Sequence, residues 1–392
     1  MDVIELLDII SAGETSKVQF KRELTNPDEF AKEIVAMANS LGVIILLGVK
    51  DKTGEIVGLS TEELHDYGTR VANIANDKVI PVVYITTEVV SVKLDSVKKI
   101  LVIHINEGIN KPYKVRKTLK IYVKQGDTKR SVSDNAEILR LFQNSGNLSA
   151  DEMEVFETSV KVINKENFEA YFQKEFKKTI EQKGLTYEQA LRNKRILRNN
   201  KLSLAGLLFF GDNPQSYKPA FCIKTVSFFG NSIGGKDYRS KPTDLLGTIP
   251  ELFEKGLIFF NSNLKHIQKG QGFNSPGILE ISRIALEELL QNALIHRDYL
   301  INSPIRLFIF DNRIEIISPG KLPNNLTVEE IKFGNTVIRN NQLVAFSTIT
   351  MPFSGIGSGI KRALEAQPNI EFENNTEAEY FKVTINRPEE KV

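Results

Sequence analysis

One cysteine in 392 residues, Cys222, leaves no partner for an internal disulfide. It stands in the apolar run 221–223 and reads as an inert core thiol. Only four histidines occur, His65, His104, His266 and His296, far apart and without a second cysteine, which argues against a zinc site. No apolar stretch approaches the roughly 20 residues that span a bilayer. The opening MDVIELLDII is interrupted by Asp2, Glu5 and Asp8 and has no basic leader, so it reads as an amphipathic helix and not as a signal peptide. These absences point to the cytoplasm and to no membrane partner. Charge excess is also missing: 51 Lys and Arg against 49 Asp and Glu give +2, so any nucleic-acid surface must come from local clustering. No internal repeat or low-complexity tract is present.

What is there is a soluble composition, 41% hydrophobic and 26% charged, in a chain long enough for two or three domains. Residues 1–143 alternate helix-like and strand-like segments, the pattern of an α+β domain. Asn26-Pro27-Asp28-Glu29 is a strong helix start, and Phe30, Ile34 and Ala38 follow at four-residue spacing. Residues 43–49, 99–105 and 119–123 read as strands, with 56–59 as a short return strand. The polar stretch 143–149 reads as a linker. A mixed middle region, 150–275, contains the apolar stripe Phe168, Tyr171, Phe172, Phe176 and Ile180, a packing face more than a nucleic-acid platform. Thr186 and Gln189 have the spacing of a capping box. Residues 204–210 fit a helix or a strand, 221–229 a strand, and 271–277 a second break. A third unit, 278–388, carries one strong helix, two strands, a glycine-rich turn and a last helix.

Three segments of the first unit carry a family resemblance: 13–21 with Glu14 and Gln19, 38–42 (Ala-Asn-Ser-Leu-Gly), and 47–51 ending in Asp51, joined by 122–126. Together they resemble the Schlafen-type AlbA-like domain of bacterial proteins over residues 5–143. In nuclease members the resemblance implies three clustered carboxylates holding a divalent metal for RNA cleavage, carried here by Glu14, Gln19 and Asp51. Gln19 brings no charge, which leaves two carboxylates. The bland alternative is that Glu14 and Asp51 are ordinary solvent-facing acids. The same span is basic at Lys111, Lys114, Arg116, Lys117, Lys120, Lys124, Lys129 and Arg130, opposed within it only by Asp127. Tyr113 and Tyr122 are interleaved, and Lys21 and Arg22 add to the cluster if they lie on the same face. Lys21, Arg22, Lys114, Arg116, Lys117, Lys120 and Lys124 are the expected phosphate contacts to DNA or RNA. Lysines that merely guard sheet edges are the competing reading.

In the third unit, Glu288, Asn292 and His296 recur at i, i+4 and i+8 and share one helix face. Phe310-Asp311-Asn312-Arg313 leads to Ser318-Pro319-Gly320, and Gly355, Gly357 and Gly359 follow in order. This order resembles a shortened GHKL ATPase, an α/β sandwich, at the C-terminus of bacterial proteins labelled transcriptional regulators or helicase-related. The resemblance implies ATP and Mg²⁺ as ligands. Glu288 would be the water-activating base and Asn292 the magnesium ligand, with His296, Gly320, Gly355, Gly357 and Gly359 around the nucleotide. Ser318 stands where that family uses an adenine-binding Asp. The alternative is a solvated helix face and a plain helix-entry turn. Two echoes fail on their own terms. His296-Arg297-Asp298 lacks the kinase Asn five residues on, and Gly230…Gly235-Lys236 has Asp237 where a P-loop needs Ser or Thr.

The expectation is an α+β, multidomain, nucleic-acid-binding regulatory protein with a nucleotide-responsive C-terminal domain. A metal-dependent endoribonuclease and a scaffold with degenerate sites are the alternatives. Self-association stays open.

Overall fold

The computed structural model describes every residue except 16, 52, 94–96, 127, 234–236, 269–276, 324–325, 356 and 389–392. Of the residues singled out above, Ser16, Asp127, Gly235, Lys236, Ile356 and most of the break 271–277 lie outside the described residues. The protein is a multidomain α+β chain with two compact units, Met1–Leu148 and Ser149–Val392. Among the described residues no helix is long and apolar enough to cross a membrane.

The first unit is built on a four-stranded sheet in the order Val18–Lys21, Val43–Leu47, Val97–Ile105, Ile85–Lys93, the first pair parallel and the others antiparallel. Alternation along the strands gives it two apolar faces. Val43, Ile45, Leu47, Leu101, Ile103 and Ile105 meet Phe30, Ile34, Val71 and Ile74 of the helices Pro27–Asn39 and Thr61–Lys78. Leu46, Val90, Val92, Ile100 and Val102 pack on Leu6 of the helix Val3–Ala12. Asn26 caps the second helix by accepting the amides of Asp28 and Glu29 at 2.9 and 3.2 Å. Its last residue, Asn39, is buried and clamps the following chain. Its amide donates to the carbonyls of Tyr113 and Tyr122, both at 2.9 Å, and its oxygen accepts the Tyr113 amide at 2.7 Å. Gly42 then turns with φ +72°, where a Cβ would lie 2.7 Å from the Ile105 carbonyl oxygen. The Ala-Asn-Ser-Leu-Gly segment therefore has a structural reason. A hairpin, Ile121–Gln125 with Thr128–Val132, and the helix Asn135–Asn144 complete the unit. The expected strand at 56–59 is reduced to a single bridge between Val49 and Ile56, because the amides of Val57 and Gly58 both turn to the Gly48 carbonyl.

The second unit is a six-stranded sheet in the order Tyr238–Leu245, Ile223–Phe228, Ile305–Ile309, Arg313–Pro319, Tyr380–Asn386, Ile370–Asn375. Only the pair Ile223–Phe228 and Ile305–Ile309 runs parallel. One face of the sheet shares a single core with the helices Leu204–Phe210, Ile249–Asn263, Arg283–His296 and Asn341–Thr350. The residues expected as a separate middle region, 150–275, supply two strands of this sheet and much of this core. They and residues 278–388 form one structural unit. Residues 204–210 are helical. All seven are buried, so no polar face marks the period, and Ser203 caps them by accepting the Gly206 amide at 3.2 Å.

Candidate functional site

Along the strand Arg313–Pro319, Ile314 and Ile316 join the core beneath the helices. Period two puts Ser318 on the same side, and its hydroxyl donates to the Ala293 carbonyl of the helix Arg283–His296 at 3.2 Å. Between this helix, the end of that strand and the glycine turn opens a cleft with about 1090 Å³ of empty space, solvent at its mouth included. Glu288, Asn292, His296, Ser318, Gly320, Gly355, Gly357 and Gly359 all line it, with an apolar floor that includes Ile316, Phe372 and Val383. The C-terminal residues singled out from the sequence thus share one cavity.

Their states differ. Glu288 is nearly buried, and its Oε1 accepts Arg362 Nε at 2.7 Å and also Nη2. Arg362 Nη1 donates to Ser358 Oγ at 2.6 Å. Asn292 has no hydrogen-bond partner among the described residues. His296 has none either, and its ring lies 6.3 Å from that of Phe353. Burial, then the nearby Arg339 guanidinium, push the His296 pKa down to about 4, so its imidazole is neutral in ordinary buffers. It offers hydrogen bonds and no charge.

Gly355 and Gly357 have φ of +69° and +78° and shape the turn. Gly359 opens the helix Gly359–Ala366, whose first turn has no side-chain cap. A Cβ there would lie 2.5 Å from Glu288 Oε2 and 3.5 Å from Asn292 Nδ2, so the missing side chain is what lets the acid approach. Gly320 borders the cleft, but its constraint is packing: with φ +99°, a Cβ would meet Asp298 Cβ at 2.4 Å and Arg339 Nη1 at 2.9 Å. The kinase-like triplet is a brace. Arg297 donates to the carbonyls of Ile301 and Ser303 and stacks on Phe221 and Tyr299. Asn340 satisfies the terminal carbonyls of Ile295 and Arg297. Sequence reasoning missed Arg362 and Lys321, which line the cleft as its two cations. Arg362 had a signal, a cation in the first turn after a glycine-rich entry. Lys321, next to the Pro-Gly turn, had none.

In the first unit the expected metal pattern takes another form. Glu14 Oε1 accepts the Phe20 amide at 3.0 Å, Gln19 pairs with Ile45 in the sheet, and Asp51 is exposed beyond the second strand. Among the described residues no three His, Cys, Asp or Glu side chains gather to hold a metal. The basic span is also less free than its sequence suggests, because acids from other elements reach it. Lys21 pairs with Glu33 at 3.1 Å, Lys129 with Glu29 and Glu33, Arg130 with Glu137, and the buried Lys111 with Glu107. Arg116 is exposed, and its Nη2 donates to the carbonyls of Asn76 and Val79 at the end of the helix Thr61–Lys78. Lys114, Lys117 and Lys120 have no ion pair among the described residues. Arg22 and Lys120 are exposed, and Lys124 is half-buried beside Ser40, whose hydroxyl accepts its amide.

Residues 14–133 match the family model described as Schlafen, AlbA_2. Residues 302–385 match the one described as putative ATP-dependent DNA helicase recG C-terminal. The chain joins an AlbA_2 domain to an ATPase-like domain. The pairing links it to nucleic-acid-related, ATP-linked function. No curated protein matches the chain. Among solved structures it is similar to the DIP2311 protein of Corynebacterium diphtheriae, at 21% identity and a TM-score of 0.46, over 98% of this chain and 80% of that one.

Proposed function

We propose that the protein is a nucleic-acid-binding regulator whose ATPase-like domain, a GHKL-type fold, takes a magnesium nucleotide in the cleft between Glu288 and the glycine turn. One observation carries this reading: the cleft gathers an unpartnered amide (Asn292), an acid (Glu288), two cations (Arg362, Lys321) and an uncapped helix start behind positive-φ glycines. That donor set fits a phosphate-bridged magnesium ion, which needs few protein ligands and draws the rest from phosphate and water. When bound, the ion would supply positive charge against the phosphates. The chain's own parts are then Asn292 as an oxygen donor to the metal, and Glu288 as the acid that orients water. His296 and the Ser318 lone pairs serve as neutral contacts for the base. Ser318 already spends its proton on the Ala293 carbonyl and adds no charge, so base selectivity is low.

Nucleic acid, DNA or RNA, is assigned to the AlbA_2 domain at Lys114, Lys117 and Lys120, which keep free charge beside the hairpin. The test is calorimetry with ATP, GTP and a non-hydrolysable analogue, with and without Mg²⁺. Asn292→Ala is expected to lose the magnesium-dependent part of binding, while Glu288→Ala keeps binding and loses any hydrolysis. A native chain that binds none of these at millimolar concentration refutes the proposal.

A further inference from the structure

We infer that Arg362 is a phosphate-sensing side chain: it holds Glu288 while the cleft contains no anion and passes to the phosphate of a bound nucleotide. The inference rests on the magnesium-nucleotide reading above and adds a residue and a regulation to it.

Three observations carry it. Arg362 sits in the first turn of Gly359–Ala366 and curls back toward the mouth of the cleft, giving Nε and Nη2 to Glu288 Oε1 and Nη1 to Ser358 Oγ. Its side chain is 39% exposed, whereas that of Glu288 is 11% exposed. The cation therefore faces arriving solutes and the acid is sheltered behind it. Glu288 also borders the helix entry, its Oε2 lying 2.5 Å from where a Cβ on Gly359 would be. In this state a carboxylate occupies the region where uncapped amides favour an anion.

A guanidinium fork suits a phosphate as well as a carboxylate, and a doubly charged phosphate is the stronger partner. Transfer of Arg362 would leave a nearly buried carboxylate without its counter-ion, which is costly unless another cation arrives. Asn292, whose amide nitrogen is 3.5 Å from that same Gly359 Cβ position, is the neighbouring side chain able to help a metal take over that role. The exchange therefore couples three events: phosphate arrival, metal arrival and release of Glu288 toward water. Adenosine, which has no phosphate, leaves the Arg362–Glu288 pair in place.

The test compares the affinities of adenosine and Mg-ATP for the full chain by calorimetry, in native protein, Arg362→Ala and Arg362→Lys. For Arg362→Ala the preference for Mg-ATP over adenosine is expected to fall at least tenfold, with adenosine affinity changed less than twofold. Arg362→Lys is expected to recover part of the preference. Glu288→Gln removes the competing negative charge while keeping an acceptor oxygen, and is expected to strengthen binding of the non-hydrolysable analogue without metal by severalfold. Should Arg362→Ala fail to fold, Arg362→Gln carries the same comparison. If both ligands weaken equally in Arg362→Ala, the arginine only fastens two helices together and the inference fails, while the nucleotide reading stands. A native chain that binds neither ligand ends both.

Discussion

Asp151 gives the sharpest test of the energetics. It is fully buried, and its Oδ2 accepts the amides of Gln342 and Leu343 at 2.7 and 3.0 Å, closing the open start of the helix Asn341–Thr350 from 191 residues away. Oδ1 has no partner among the described residues. Burial outweighs the two amide bonds and raises its pKa from 3.8 to about 6. The folded chain thus holds this proton more tightly than the unfolded one. The group's contribution is most favourable below about pH 4 and is lost as pH rises toward about 6, after which it stays constant. Two pKa units at about 1.4 kcal/mol each make that loss about 3 kcal/mol. Asp151→Asn keeps an oxygen for the two amides and removes the titration. In calorimetry, the Tm of the native chain minus that of Asp151→Asn is expected to fall by roughly 6–12 °C between about pH 4 and pH 7, for a unit of this size. The slope is the readout, since the unpartnered amide nitrogen of the variant shifts the offset at every pH alike. A difference that stays flat, or that rises with pH, refutes the reasoning.

Asn39→Ala removes three buried hydrogen bonds from the first unit and is expected to destabilise it by about 2–4 kcal/mol, read by chemical unfolding; a loss under about 1 kcal/mol would show the clamp to be dispensable. Gly42→Ala places a Cβ against the Ile105 carbonyl at a positive φ and is expected to cost about 2 kcal/mol or more, with the same assay. Lys117→Ala with Lys120→Ala should reduce the salt slope of duplex binding by about 2, at roughly 0.9 per phosphate contact, and weaken unrelated sequences alike; an unchanged slope removes these lysines from the interface. Arg116→Ala, by contrast, should lower the Tm and leave the slope alone.

The helix starts were legible because a cap is local chemistry. Asn26 and Thr186 needed only their own next three residues, and the structure shows both caps. The face Glu288, Asn292, His296 was legible for the same reason, as a helix repeats at a fixed step. What escaped the sequence was decided across distance. Residues 204–210 are apolar all round, so their period is silent until the core surrounds them. The basic span looked unopposed because Glu29, Glu33, Glu107 and Glu137 reach it from other elements. Residues 56–59 have strand composition, but two of their amides are spent on the Gly48 carbonyl, which leaves a bridge at Ile56 and no continuous ladder. Arg362 is four residues beyond Ser358 and 74 from Glu288, and only folding makes it the acid's counter-ion.

The single sheet shared by 150–275 and 278–388 sets where this chain can be cut. A fragment confined to the matched residues 302–385 would omit the helix Arg283–His296, and with it Glu288, Asn292 and His296. It would also break the parallel seam between Ile223–Phe228 and Ile305–Ile309, baring a row of amides and carbonyls along a new edge. Such a piece would be silent toward nucleotide whatever the intact protein does. The compact unit that holds both the seam and the cleft begins at Ser149.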